Sequence, residues 1–362
     1  MQKNICRWGI MGTAGIARKN WQAIRNSGNG RLVAIASRDQ SRAQAYIDAC
    51  QAHIAHPVKP RAEGTYEALI EAPDIDALYI PLPTGLRKEW VIRAAKAGKH
   101  VLCEKPCGST VADLEEMVEA CRESGVQFMD GVMFMHGTRL ARLRETLDDG
   151  TSLGRLKRVA SQFSFLAPPE FFGGNIRTDH QLEPLGCLGD LGWYNIRFTL
   201  WALGYEMPLL VTGRLLDQTA DGVPTEFSGE LLFSSGVSAS FYCSFVTEHQ
   251  QWVTLSGTKG NVQLDDFVLP WYGCETTYRI SNAHFELNEC EFHMERHVHT
   301  VATREYANSH ATSQETALFR RFGDLVLSGK PDSHWPNIAL QTQRVMEACL
   351  LSARRGGQET AP

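Results

Sequence analysis

Lys105 stands in the string Glu104-Lys105-Pro106, directly after the apolar run from Val101 to Cys103. A short apolar run of this kind reads as a buried parallel strand. Pro106 has no amide hydrogen and cannot continue a central strand, so the strand must end here. Glu104 and Lys105 then fall at the carboxyl end of a strand, where open α/β sheets bind their ligands. An ammonium held there is either half of a structural ion pair or a proton donor to something bound. Asp190 and Tyr194 are a second candidate pair. Four residues apart, they share one face of a helix, and an acid near a helix N-terminus is favoured as the anion. On their own they also read as an N-terminal acid followed by a core tyrosine.

The elements that must position these residues begin with a short strand, Cys6 to Met11. Gly12-Thr13-Ala14-Gly15-Ile16-Ala17 follows at once, then a helical stretch to about Ser27. Strand, glycine turn and helix in this order make a dinucleotide site, whose backbone amides face a pyrophosphate. The match to G-x-G-x-x-A is imperfect, because Ala14 takes the second glycine place and Gly15 follows it. A plain strand-to-helix turn is the alternative. The second strand, Arg31 to Ser37, ends in Ser37-Arg38-Asp39. An NAD site usually places an acid here for the ribose diol. A hydroxyl and a guanidinium instead hold a 2′-phosphate, which a carboxylate would repel. NADP is therefore the expected cofactor, with NAD as the alternative because Asp39 is close.

Helical stretches follow at Ser41 to Ala52, Thr65 to Glu71 and Leu86 to Ala97, the last stopped by Gly98. Between them Ala77 to Ile80 reads as a strand ending in the loop Pro81-Leu82-Pro83-Thr84, placed beside the nicotinamide. Leu114, Met117, Val118 and Cys121 mark one helix face, and Val126 to Met129 is a further strand. Strands alternating with helices imply a doubly wound parallel sheet, hence an α/β fold.

A chain of 362 residues is too long for one ordinary core, so two domains are expected, 1–130 and 131–362. A net charge of −5 gives no electrostatic reason to expect nucleic acid as a partner. No apolar window is long enough for a membrane helix, and the N-terminal residues lack a signal-peptide core. The ten cysteines are scattered without a CxxC pair, which fits reduced thiols and a cytoplasmic location. Beyond Leu153 the pattern changes to alternation, at Leu156 to Phe165, Glu226 to Phe233, Val237 to Phe245 and Trp252 to Ser256. This is the mark of an antiparallel sheet, and apolar residues on both of its faces would suggest subunit pairing. His293, His297 and His299 attract notice because the first two would share a helical face, as metal ligands can. Met294 and Glu295 fill the gap where a zinc helix carries its own motif. These histidines therefore read as surface or substrate-facing residues of a connecting segment, with no metal expected.

Several strings together resemble the glucose–fructose oxidoreductase / inositol dehydrogenase / MocA family. They are Trp8 to Ala17, Tyr79-Ile-Pro-Leu-Pro83 with Glu89-Trp90, and above all Ala97-Gly-Lys-His-Val-Leu-Cys-Glu-Lys-Pro106. Asn175-Ile-Arg177, Leu188-Gly-Asp-Leu-Gly-Trp-Tyr194 and Val253 to Gly260 extend the resemblance over nearly the whole chain. It implies an N-terminal Rossmann domain and a C-terminal α+β domain with a large, mainly antiparallel open sheet. That sheet commonly packs against a second subunit, so a homodimer or homotetramer is implied. The implied chemistry is hydride transfer between NAD(P) and a hydroxyl or carbonyl carbon of a sugar, cyclitol or related diol.

In this resemblance Lys105 is the motif lysine, Asp190 the motif aspartate, and Tyr194 occupies the acid/base position where other members have His. Lys105 would lower the pKa of Tyr194 and hydrogen-bond the substrate oxygen, with Asp190 orienting Lys105 or a substrate hydroxyl. Gly12, Thr13, Ala14, Gly15, Ile16, Ser37, Arg38, Pro81, Leu82, Thr84, Arg87, Glu104 and Lys105 would contact the cofactor. Arg177 and His180, in a polar loop, would join Asp190 and Tyr194 around the substrate. Family members often carry Asn and His where Thr84 and Arg87 stand, and an arginine at the place of Met135. Two other functions are compatible with the same strings: a relative that retains its cofactor through glycoside cleavage or elimination, and a non-enzymatic NADP-binding regulator.

Overall fold

The computed structural model describes residues 5–362. Strands β1 (Cys6–Met11), β2 (Gly30–Ala36), β3 (Arg61–Glu63), β4 (Ala77–Ile80), β5 (His100–Cys103) and β6 (Phe128–Asp130) form one sheet, ordered β3-β2-β1-β4-β5-β6. Every pairing in it is parallel. The chain reverses direction across the sheet between β1 and β4, which opens a crevice at the strands' carboxyl ends. Strand β4 is buried along its whole length and β5 from Val101 onward, which explains their unbroken apolar runs.

Helices α1 (Gly15–Asn26), α2 (Gln40–His53), α3 (Tyr66–Glu71), α4 (Thr84–Lys96) and α5 (Val111–Glu123) connect the strands. Asp39, Thr65 and Thr110 accept amide hydrogens at the starts of α2, α3 and α5, the usual role of these residue types. Thr84, expected in a loop, is instead the first residue of α4. The three-residue β3 lies outside the sequence expectations, having no apolar run to mark it.

The second sheet contains β7 (Leu156–Leu166), β8 (Leu210–Gln218), β9 (Pro224–Leu232), β10 (Ser238–Ser244), β11 (Val246–Gly257), β12 (Asn261–Leu264), β13 (Glu275–Asn288) and β14 (Glu291–Arg304). Its order is β14-β13-β12-β11-β7-β10-β9-β8, antiparallel except for the parallel pair β7–β10. His293, His297 and His299 lie on β14, not on a helix. The pair four apart is separated by Glu295, which bonds His293 at 3.0 Å and lies 3.4 Å from His297. In a strand residues four apart share a face but stand about 13 Å apart, so this spacing does not bring those two imidazoles together.

Helices α6 (Thr138–Asp148), α7 (Trp193–Ala202), α8 (Gln314–Ser328) and α9 (His334–Arg354) complete the fold. All ten residues of α7 are buried, Arg197 included. The Arg197 guanidinium donates to Asp130 at 2.7 and 3.3 Å and to Thr342 Oγ1 at 2.7 Å. That buried pair ties the end of β6 to α7, and with it the two halves of the molecule. Helix α8 then returns to the first sheet, where Phe319 meets Trp8 edge-on with ring centroids 5.0 Å apart.

Candidate active site

The carboxyl ends of the parallel strands face the second sheet across a cleft of about 500 Å³. Ala14, Gly15 and Ile16 contribute one end of it, and Pro81, Leu82, Glu104 and Lys105 its floor. Arg177, Asp190 and Tyr194 come from the opposite side.

The glycine turn suits an anion. Gly12 has φ +105°, and a Cβ there would come within 3.1 Å of Leu82 Cδ2. The residue before α1 is Ala14, which has no side-chain oxygen to cap the helix. First-turn amides without an internal partner form a ready anion site, whereas α2, α3, α5 and α8 each carry a capping side chain. Beyond β2, Ser37 is buried and Arg38 exposed. Arg42, which the sequence reading passed over, donates from Nε to Thr13 Oγ1 at 3.0 Å. The charges of Arg38 and Arg42 both act on Tyr66, whose phenol burial pushes up. A dinucleotide pyrophosphate and a 2′-phosphate thus fit the residues present.

Lys105 is the hub of the other end. Its Nζ donates to the Asp190 backbone oxygen at 2.6 Å and to Asp190 Oδ1 at 2.7 Å. Asp190 Oδ2 meets Arg177 Nε at 2.9 Å. Burial alone would raise the Asp190 carboxyl, but Lys105 and Arg177 outweigh it and hold it at about 2. A one-turn π-helical segment, Leu188–Gly192, delivers Asp190 just ahead of α7, a widened turn often met at functional sites.

Tyr194 corrects an expectation. Lys105 Nζ sits over the face of its ring, 4.7 Å from the centroid, instead of drawing the phenol pKa down. Burial against Phe134 and Phe163, followed by the charges of Glu104 and Asp190, pushes it well above the usual tyrosine range. The phenol is therefore held protonated.

Other expected residues lie outside the cleft wall. Thr84 is buried behind it, with its hydroxyl on Glu183 at 2.5 Å. His180 is exposed and faces Asp221, on the turn between β8 and β9. Arg87 does reach the cleft, yet its guanidinium bonds backbone carbonyls. Conversely, Phe163, Phe165, Glu183, His249, Val268 and Leu269 line the cleft without having been singled out. The alternation in β7 marks Phe163 as inward-facing, but nothing local marks Glu183.

Comparison with known proteins places the chain in a family. A model described as an oxidoreductase family with an NAD-binding Rossmann fold matches residues 6–132, and one for the GFO/IDH/MocA C-terminal domain matches 140–263. A D-xylose 1-dehydrogenase (NADP(+)) of Haloferax volcanii is 34% identical over 273 residues, covering 75% of this chain and 80% of the relative. A trans-1,2-dihydrobenzene-1,2-diol dehydrogenase of Bos taurus is 32% identical over 269 residues, covering 72% and 74%. Among solved structures, a 3-ketoreductase from Actinomadura kijaniata in complex with NADP and TDP-benzene superposes with a TM-score of 0.80 at 27% identity. The match covers 96% of this chain and 98% of that one.

Proposed function

Because the chain belongs to the GFO/IDH/MocA oxidoreductase family, we propose that it moves a hydride between NADP and a hydroxyl or carbonyl carbon of a sugar, cyclitol or related diol. One observation carries this reading: Lys105, Asp190 and Tyr194 converge in a cleft whose other end is an uncapped helix start behind a glycine turn. Bound NADP would supply the hydride, and the chain's own residues place the partners and handle the proton.

Gly12 to Ile16 hold the pyrophosphate, while Ser37 and Arg38, joined by Arg42, hold the 2′-phosphate. Pro81, Leu82 and Glu104 wall the nicotinamide side, backed by Thr84 and Arg87. Lys105 hydrogen-bonds the reacting oxygen and stabilises negative charge that develops there. Asp190 keeps the ammonium aimed by accepting two of its protons' worth of contacts, backbone and side chain. Tyr194, held protonated, gives its proton to the oxygen in the direction of reduction. Arg177 stands at the mouth, and Phe163 and Phe165 offer flat apolar surface to a ring. The exposed apolar side chains Phe285, Leu287, Phe292 and Met294 on the β13–β14 hairpin support pairing of subunits through the second sheet.

The reading is tested by following absorbance of the reduced nicotinamide, with NADP+ and NAD+ offered separately to aldoses including xylose, cyclitols and dihydrodiols, and NADPH and NADH offered separately to a dTDP-linked ketosugar. Turnover with at least one sugar or diol is expected, faster with the phosphorylated cofactor of the pair. Arg38→Asp is expected to cut the preference for NADPH over NADH by about tenfold or more, the worth of one charge-assisted hydrogen bond. An unchanged preference would remove Arg38 from the 2′-phosphate site.

A further inference from the structure

Arg87 is 5% exposed and lies in the first turn of α4. Its Nε donates to the Leu82 carbonyl at 2.6 Å. Its Nη1 donates to the carbonyl of Glu104 at 3.0 Å and to that of Pro106. The guanidinium thus grips the chain on both sides of Lys105 and fastens it to the Leu82 wall. These carbonyls need such a donor, because Pro106 ends the strand and buried carbonyls are rarely left without a partner. The planar fork of an arginine can span three acceptors in fixed directions, which a lysine ammonium cannot do in the same way.

A buried guanidinium also needs negative charge nearby. Glu183 supplies it from the polar loop of the second domain, with Oε1 4.0 Å from Arg87 Nη2. The same carboxylate accepts from the Thr84 amide at 3.0 Å and from the Thr84 hydroxyl at 2.5 Å. It therefore caps α4, whose own N-cap residue, Pro83, offers no side-chain acceptor. Next to this cap the loop sits directly on the helix. The Gly85 amide donates to the Leu182 carbonyl at 2.9 Å, and a Cβ on Gly85 would fall 2.1 Å from the Gln181 oxygen. Only a glycine permits that approach.

We propose that Arg87 is the positioning residue of Lys105, and that Glu183 holds Arg87 and the start of α4 so that docking of the second domain's loop sets where Lys105 stands. Arg87 acts through Lys105 and not on the substrate, since its bonded nitrogens are occupied by main-chain oxygens. The effect on turnover rests on the hydride-transfer reading above, whereas the placement of Lys105 does not.

The test uses the full-length protein, Arg87→Lys and Glu183→Gln. Each is acetylated with acetic anhydride under limiting conditions, and the rate at Lys105 is read by peptide mass spectrometry against exposed Lys157. Circular dichroism and the unfolding midpoint establish that each variant is folded. The Lys105 rate relative to Lys157 is expected to change by about threefold or more in both variants, as a displaced ammonium loses its fixed surroundings. Where a sugar is turned over, kcat is expected to fall by about 10²-fold in Arg87→Lys with KM nearly unchanged, the pattern of a misplaced catalytic group. Should Arg87→Lys fail to fold, Glu183→Gln decides alone. A Lys105 rate unchanged in the folded variants overturns the proposal. A changed rate in a protein that turns over no sugar or diol leaves the positioning role standing and removes the functional reading instead.

Discussion

A Lys105→Met protein is expected to bind NADPH within about threefold of the unsubstituted chain while its kcat falls by about 10³-fold, the span of general acid–base and charge stabilisation together. Methionine keeps most of the unbranched stem and removes only the ammonium. Asp190 would retain Arg177, 2.9 Å away, so the carboxylate is not left alone in the cleft. The site should therefore stay folded and lose only its cation at the reacting oxygen. The glycine turn proposed to hold the pyrophosphate lies at the other end of the cleft, which is why cofactor affinity should survive. Fluorescence quenching measures the binding, and initial rates with the best substrate of the screen measure turnover. A kcat within tenfold of the parent would take the central role away from Lys105.

The second large effect is expected at Tyr194, and its sign follows from the environment of the phenol. Burial, Glu104 and Asp190 all push its pKa well above the usual tyrosine value. A group whose pKa is raised keeps its proton until the pH climbs past that raised value. As the proposed donor in reduction, Tyr194 is then protonated throughout the neutral and mildly alkaline range. Tyr194→Phe should accordingly lower kcat/KM for reduction by about 10²-fold, and by the same factor at every pH between about 6 and 9. The phenyl ring that remains still packs against Phe134 and Phe163 and still faces the Lys105 ammonium, so stability should change little. A loss that shrinks toward the alkaline end would mean that the phenol titrates there, contrary to its surroundings. The oxidative direction should respond in the opposite way, improving as pH rises, because the proton must leave the substrate hydroxyl.

Much of this site is legible in the chain because its signals are local. Pro106 announces the end of β5 and so places Lys105 at the carboxyl end of a strand. The glycine turn after β1, the capping residues Asp39, Thr65 and Thr110, and the all-buried runs of β4 and β5 outline the parallel sheet residue by residue. Asp190 and Tyr194 share a face by spacing, but it is the family-like string Leu188 to Tyr194 that singles them out, even though Asp190 sits in a π-helical turn and not in a regular helix.

What is not legible depends on contacts between distant residues. Glu183 meets Thr84 across 99 positions, and no property of its polar, glycine-rich loop says that it will cap α4. Arg87 reads as a charge aimed at a ligand until the carbonyls of Leu82, Glu104 and Pro106 are seen around it. Tyr194 was expected to be acidified by Lys105, but sequence does not show that the ammonium rests on the ring face or that two phenylalanines bury the phenol. The histidines of β14 mislead for a different reason. A spacing of four carries meaning only on a helix, and the long β13–β14 hairpin supplies a strand period instead.

Transfer of label from NADPH deuterated at the nicotinamide C4 position reaches the central claim most directly. The unsubstituted protein is given each labelled C4 epimer with the carbonyl substrate, and the product is read by mass spectrometry. One deuterium at the new carbinol carbon, from one epimer only and matched by one NADPH consumed, is the expected result. Product that carries no deuterium from either epimer, or that forms with no net loss of NADPH, would contradict it.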